Sequence, residues 1–387
     1  MQFIDLGAQQ KRIRKQIERN ISNILDHGKY IMGPEVARLE DELKAFVGAR
    51  HAIACASGTD ALLLALLAED VGPGDAIFTS PFTFIATAEV ISLVGATPVF
   101  VDIDEKTYNI DPQRLESAIG ALEAADSGRH PLPSGDSSLS ELKPRGIIAV
   151  DLFGLPADYA RINDVARRHG MFVIEDAAQS FGAEADGQKA CRMADMACTS
   201  FFPAKPLGAY GDGGMCFTDS DRLAEAMQSL RVHGKGHHKY DNVRIGINGR
   251  LDTIQAAILL AKFEIFPEEI ELRQQVAQNY TKRLISHPSM VTPETPAGYK
   301  SAWAQYSILA RDEAHRSELQ DRLKQHGIPT AIYYPKPLHL QTAFACLGYR
   351  AGDFPYSEDY ALRIFSLPMH PYLTEDEQDN IASILEN

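Results

Sequence analysis

HAIACASGTDALLLALLAEDVGPGDAIFT, residues 51–79, reads as strand, turn, helix, turn and strand. His51 to Cys55 is a short apolar run. Ala56-Ser57-Gly58-Thr59-Asp60 supplies small and capping residues, and Ala61 to Leu67 is an apolar helix. Gly72-Pro73-Gly74-Asp75 ends it, and Ala76 to Thr79 starts a second strand. Two apolar strands joined through a helix run parallel, with the helix covering one face of the sheet.

The pattern repeats outward. Pro81-Phe82-Thr83-Phe84 opens a helix running to about Val94, and Thr97 to Asp102 is a strand. Strand Gly146 to Asp151, helix Asp158 to His169 and strand Met171 to Glu175 continue the alternation. A largely parallel sheet with helices on both faces follows, and its ligands belong at the carboxyl ends of the strands. Upstream lie two amphipathic helices, Lys11 to His27 and Glu35 to Val47, separated at Gly33-Pro34. Between 122 and 142 the alternation lapses into Ser, Gly, Pro and Asp, an excursion or mobile loop. From Asp252 the pattern changes. Helices Thr253 to Phe263, Pro267 to Leu284 and Glu313 to His326 join strands Ser301 to Leu309 and Pro329 to Tyr334, as in a small α+β domain. A large domain over 1–245 and a small one over 246–387 are expected.

Composition narrows the function. Over 387 residues the net charge is −14, which argues against nucleic acid and anionic membranes as partners. Positive charge for an anionic substrate must then be local. The five cysteines are odd in number and form no CxxC pair, so neither a disulfide framework nor a metal site is suggested. The amino terminus has no apolar signal core and no run approaches a membrane span. A cytoplasmic protein is expected.

Three features carry chemistry. Ser57-Gly58-Thr59 lies where a strand feeds a helix, so free N–H groups and the helix dipole favour a phosphate there. An ordinary helix cap would read the same way. Val173-Ile174-Glu175-Asp176 ends a strand in a carboxylate that can pair with a protonated ring nitrogen, and Gln179 can reach a ring hydroxyl; Asp176 could equally cap a helix. Lys205, in SFFPAKPLGAYGDGG (200–214), sits between two small-residue turns, as a Schiff-base nucleophile requires; a solvated surface lysine is the plain alternative. Phe84 can stack on a ring face or pack in the core. Ser200 can add a phosphate hydroxyl or be satisfied by backbone. The three features occur in the order a pyridoxal phosphate enzyme uses them.

GPEVARLE at 33–40, SGTDAL at 57–62, PFTFIAT at 81–87, VDID at 101–104 and EDAAQSFGA at 175–183 extend the pattern. So do the lysine stretch at 200–214, NGRLDTIQAAIL at 248–259 and YYPKPLHLQ at 333–341. With these motifs the chain resembles the DegT/StrS-type sugar aminotransferases over nearly its whole length. The resemblance implies an α/β fold, the pyridoxal-phosphate-dependent transferase fold type I typified by aspartate aminotransferase, with a mainly parallel seven-stranded sheet. It implies that Lys205 bonds the cofactor and shuttles protons, Asp176 holds the pyridine nitrogen, Gln179 contacts the ring hydroxyl and Phe84 stacks on the ring. Gly58, Thr59 and Ser200 would hold the phosphate. Asn248 would reach the cofactor phosphate of a neighbouring subunit, making a homodimer with shared active sites.

A branch of the family replaces this lysine by histidine and dehydrates; Lys205 points to amino transfer. FIDLGAQQKRIRKQI, RVHGKGHHKYDNVRIGINGRLD and SLPMHPYL resemble family members that aminate C3 of a UDP-linked 2-acetamido-3-oxo-hexuronic acid for surface-polysaccharide amino-sugar biosynthesis. L-glutamate would be the donor. On that likeness Arg250 would meet the sugar carboxylate, or form a structural ion pair at the dimer interface. Tyr333, Tyr334 and His339 are the other substrate candidates. The basic-aromatic stretch 231–240 would supply local positive charge, or form a solvated loop. The chain departs from the family pattern at Tyr333, where histidine is common, and in the length of the 122–142 excursion. Rivals are a 4-keto-sugar or free keto-sugar-acid aminotransferase and a cofactor-binding regulator without turnover.

Overall fold

A computed structural model describes residues 1–134, 139–238 and 240–386. Residues 135–138 of the excursion and Lys239 of the basic stretch lie outside the described residues. In the amino-terminal part the strands are β1 (His51–Cys55), β2 (Asp75–Thr79), β3 (Thr97–Phe100), β4 (Lys143–Val150), β5 (Phe172–Asp176), β6 (Glu184–Ala185), β7 (Gln188–Lys189), β8 (Met196–Ser200) and β9 (Gly214–Thr218). Helices there are α1 (Leu6–His27), α2 (Pro34–Val47), α3 (Gly58–Ala68), α4 (Ala86–Leu93), α5 (Pro112–Ala124), α6 (Tyr159–Arg168) and α7 (Asp221–Leu230). The rest of the chain adds α8 (Thr253–Phe263), α9 (Phe266–Leu284), β10 (Met290–Val291), β11 (Tyr299–Lys300), β12 (Tyr306–Ala310), α10 (Glu313–Gln325), α11 (Pro355–Arg363), β13 (Ile364–Leu367) and α12 (Glu375–Glu386).

Seven strands form the main sheet in the order β1-β9-β8-β5-β4-β2-β3. All neighbours are parallel except β9, which runs antiparallel to both β1 and β8. This is the mainly parallel seven-stranded α/β sheet that the family resemblance implied. Successive residues point to opposite faces. Ile148 and Ile174 pack with α3, α4 and α7, while Ile147 and Val173 pack with α5 and α6. Both faces are dry, so α3 can be apolar all round: Leu62, Leu64, Ala65 and Leu66 are all buried. The exposed flank of α6 is polar, and it buries Tyr159, Ile162, Val165 and Ala166 at helical spacing, with Asp158 capping Arg161 N–H at 3.1 Å.

A second core holds the carboxyl-terminal part. Val276, Tyr280, Tyr306, Ile308, Leu323, Phe365 and Ile381 pack between α9, α10, α12 and the sheet β10-β12-β13. The packing boundary differs from the expected one at 245/246. Leu251, Ala256, Leu259, Leu260 and Phe266 share a core with Ala54, Phe201 and Met215 of the large domain. Helix α8 is apolar on several sides, so it is drawn under α1 and α2, and the change of core falls within α9. The expected strand over 329–334 is a single bridge, Ala331 to Ser366. Pro329 and Pro335 bracket that stretch and remove ladder donors. The excursion is partly anchored: His130 Nε2 lies 2.8 Å from the Phe100 carbonyl, and Leu132 is buried in the core beside α5.

Candidate active site

The strand ends of the sheet gather the three features. Strand β1 ends at Cys55, and α3 begins at Gly58 with Ser57 as its cap, the Asp60 N–H donating to Ser57 Oγ at 3.0 Å. The N–H groups of Gly58 and Thr59, first in the helix, have no intrahelical partner. A side chain at Gly58 would place its Cβ 2.7 Å from Ser200 Cβ, so only glycine lets β8 close against the start of α3. Ser200 Oγ accepts the Phe202 N–H at 3.2 Å, leaving its own hydrogen to donate. The result is a concave patch of donors at a positive helix end.

Asp176 ends β5 and is buried. Its Oδ2 accepts from Thr87 Oγ1 at 2.8 Å and its Oδ1 from the Ala178 N–H at 3.2 Å. Burial pushes its pKa up, opposed by these two donors and by Lys205. Lys205 sits in a turn closed by its own N–H on Phe202 O at 2.9 Å, and the Ala209 N–H returns to Phe201 O at 2.7 Å. A Cβ at Gly208 would lie 2.4 Å from Pro203 O, so glycine permits the tight return. Loss of solvation pushes the Lys205 amine pKa down, and the charge of Asp176 pulls it back. Lysine and carboxylate therefore face one site.

Gln179 is also buried, and both ends of its amide are engaged. Its Oε1 accepts the Phe153 N–H at 2.6 Å and its Nε2 donates to Tyr334 Oη at 3.1 Å, leaving one N–H to offer. Burial pushes the Tyr334 phenol up. Phe84 is 55% exposed and lies 6.3 Å, centroid to centroid, from Tyr334, so its face is available. Asn248 is exposed and Arg250 is half-buried. The intervening Gly249 carbonyl accepts the Ala56 N–H at 3.1 Å, which ties this segment to the phosphate turn of the same chain. Arg250 Nε is buried without a protein partner. Tyr333 is half-buried, and burial raises its pKa.

His339 departs from its expected place. Its side chain has no exposed surface and its Nε2 lies 3.0 Å from Glu358 Oε1, while Phe354 packs edge-on at 4.8 Å. The ring is enclosed by these neighbours, and its Nδ1 is buried without a protein partner. Burial pushes its pKa down, against the pull of Glu358.

Three supporting contacts were not read from the sequence. Thr87 orients Asp176 from α4 and lies within the quoted PFTFIAT motif. Arg231 Nη1 donates to Ala54 O at 2.7 Å and to Glu40 Oε1 at 2.5 Å, clamping the end of β1. Asp151 is buried behind Asp176. It accepts from Ser180 Oγ at 2.6 Å and Tyr159 Oη at 2.8 Å, and its N–H donates to the Asp176 carbonyl at 3.1 Å.

An anion cradle at a helix start, a carboxylate fixed for an N–H cation and a desolvated lysine fit pyridoxal phosphate at its three ends. Among the described residues no group of three or more His, Cys, Asp or Glu side chains could hold a metal ion.

Comparison with known proteins agrees. The model of the DegT/DnrJ/EryC1/StrS aminotransferase family matches residues 11–386. The chain is similar to a UDP-2-acetamido-2-deoxy-3-oxo-D-glucuronate aminotransferase of Pseudomonas aeruginosa, 46% identical over 387 residues and covering 100% of both chains. The crystal structure of a DegT/DnrJ/EryC1/StrS aminotransferase from Brucella abortus is similar at a TM-score of 0.93 and 49% identity, covering 100% of this chain and 98% of that one. NtdA of Bacillus subtilis, solved with bound pyridoxamine phosphate, is similar at a TM-score of 0.85 and 28% identity over 97% of this chain and 81% of that one.

Proposed function

The chain belongs to the DegT/DnrJ/EryC1/StrS aminotransferase family, with pyridoxal phosphate as cofactor, and from this we propose that it aminates C3 of a UDP-linked 2-acetamido-3-oxo-hexuronic acid. L-glutamate gives the amino group and leaves as 2-oxoglutarate, and the product is a 3-amino sugar for surface polysaccharide. The working form is a cytoplasmic homodimer in which Asn248 reaches the neighbouring subunit's cofactor phosphate. The observation that carries this reading is the 46% identity to a 3-oxo-glucuronate aminotransferase, covering the full length of both chains. Arg250 supports it: a buried Nε without a protein partner suits the carboxylate of a uronic acid. No helix among the described residues is long and apolar enough to cross a membrane.

Pyridoxal phosphate, when bound, supplies an aldehyde carbon that carries nitrogen between substrates and a ring that draws off negative charge. Lys205 would be the nucleophile toward that aldehyde. Its lowered pKa raises the share of neutral amine, which can take a proton from one carbon and return it to another. Asp176, held by Thr87 and the Ala178 N–H, keeps a proton on the pyridine nitrogen. The N–H groups of Gly58 and Thr59, the Thr59 hydroxyl and Ser200 Oγ would hold the phosphate. Gln179 would offer its remaining N–H to the ring hydroxyl, and Phe84 would cover the ring face. Tyr334 and Tyr333 line the approach for the sugar.

The test is direct. Purified enzyme with L-glutamate and the UDP-linked 3-oxo-uronic acid should form 2-oxoglutarate and the 3-amino sugar in equal amounts. Turnover of the 4-oxo isomer or of the unlinked keto-acid in its place would overturn the assignment. The Arg250→Lys variant should lose affinity for the uronic acid more than for an analogue lacking the C6 carboxylate.

A further inference from the structure

The geometry points to an aromatic shelf for the nucleotide's base, built from Phe3 of the amino-terminal strap and Tyr333. This rests on the reading above that the sugar arrives nucleotide-linked. Four rings are linked one to the next, from Phe84 beside the candidate site to Phe3. Phe84 and Tyr334 are 6.3 Å apart, Tyr334 and Tyr333 5.9 Å, and Tyr333 and Phe3 6.4 Å at an interplanar angle of 48°.

Tyr334, in the inner half of the row, is held by the Gln179 hydrogen bond to its Oη. The outer end is fixed on the small domain, where the Phe3 carbonyl accepts the Met369 N–H at 3.1 Å. Phe3 therefore sits in front of α1, whose cap is Asp5, and is not a frayed terminus. Phe3 and Tyr333 are both half-buried, so each ring is held and still keeps part of its surface open.

The substrate's connectivity runs the same way as this row. With C3 of the sugar at Lys205, the C1 oxygen leads outward through the diphosphate and the ribose. The base comes last. It is planar and needs an apolar face, which an aromatic side chain supplies whatever the base. Lys336 is the one exposed cation of the 329–341 stretch and makes no ion pair among the described residues, so it is free to meet the diphosphate. Together these groups answer the requirement that an acidic chain place its positive charge locally.

The experiment uses the holoenzyme and UDP itself as a competitive inhibitor of the nucleotide sugar. Phe3→Leu and Tyr333→Leu keep apolar volume and lose the aromatic face. Each should raise the UDP inhibition constant about tenfold, and the nucleotide-sugar KM in step. In Phe3→Leu the L-glutamate KM should move less than about twofold, because the donor carries no base to stack. Phe3→Tyr restores a stacking face and should restore wild-type inhibition by UDP. Unchanged inhibition in Phe3→Leu overturns the shelf and leaves the nucleotide-sugar reading standing. Equal rises in both KM values, without rescue by Phe3→Tyr, assign Phe3 to packing and also overturn it. Wild-type enzyme that is indifferent to UDP and turns over only unlinked keto-sugars overturns the nucleotide-sugar reading, and the shelf with it.

Discussion

Lys205 and Asp176 each resist the charge state that water would give them. Burial favours a neutral amine and a neutral acid, and each group's charge holds the other back. Lys205→Ala should lower turnover by roughly 10²–10⁴-fold from lost proton transfer alone. Absorbance of the reconstituted variant checks that cofactor is still held. Thr87→Val removes the hydroxyl that donates to Asp176 at 2.8 Å. A hydrogen bond to a charged group is worth about 1.5–3 kcal/mol. Turnover should fall by at least roughly tenfold while the protein stays folded, as steady-state kinetics and circular dichroism would show. The lysine, the carboxylate and the glycine turn were legible because their chemistry is written in neighbouring residues. Thr87 stands 89 positions from its partner, so its motif does not show what it bonds. The enclosure of His339 is hidden for the same reason: Phe354 and Glu358, which pack around it, lie further along the chain.

Helix α3 carries the phosphate end, and its first residue has no room to grow. Gly58→Ala would set a methyl 2.7 Å from Ser200 Cβ, forcing β8 and α3 apart at a cost of about 1–3 kcal/mol. The variant should bind pyridoxal phosphate more weakly and release it on dialysis, with the seven-stranded sheet intact. Wild-type retention of cofactor would exclude this account of the glycine. The alternation of strand and helix was legible because periodicity is local. The allegiance of α8 was not, since an apolar helix does not say which core will take it. The 329–334 stretch has strand-forming residues, but two prolines leave it a single bridge.

Across the whole molecule, two buried groups give stability opposite slopes with pH. Burial pushes the Asp151 carboxyl up to about 7, with the Glu175 carboxyl beside it also raised. A folded-state pKa above the unfolded value near 3.9 gives stability in full below that value. It is lost as pH rises toward about 7. His339 has the reverse sign: its lowered pKa gives stability present above about 6.5 and lost as pH falls. Melting curves from about pH 4 to pH 7 should therefore show Asp151→Asn gaining on wild type as pH rises. His339→Gln should lose less than wild type on acidification below about pH 6.5. Parallel curves for all three proteins would refute both assignments. The sheet order has a consequence in time. Among the described residues, strand β1 stands at the edge of the sheet and pairs only with β9, His51 opposite Thr218 and Cys55 opposite Gly214. On the ribosome the amino-terminal strand waits, its hydrogen bonds unmade, until most of the large domain has emerged. Contacts between such distant segments form slowly. The vitamin-derived cofactor therefore has a completed pocket only after Thr218 is out, and nascent chains stalled before Gly214 should fail to retain it.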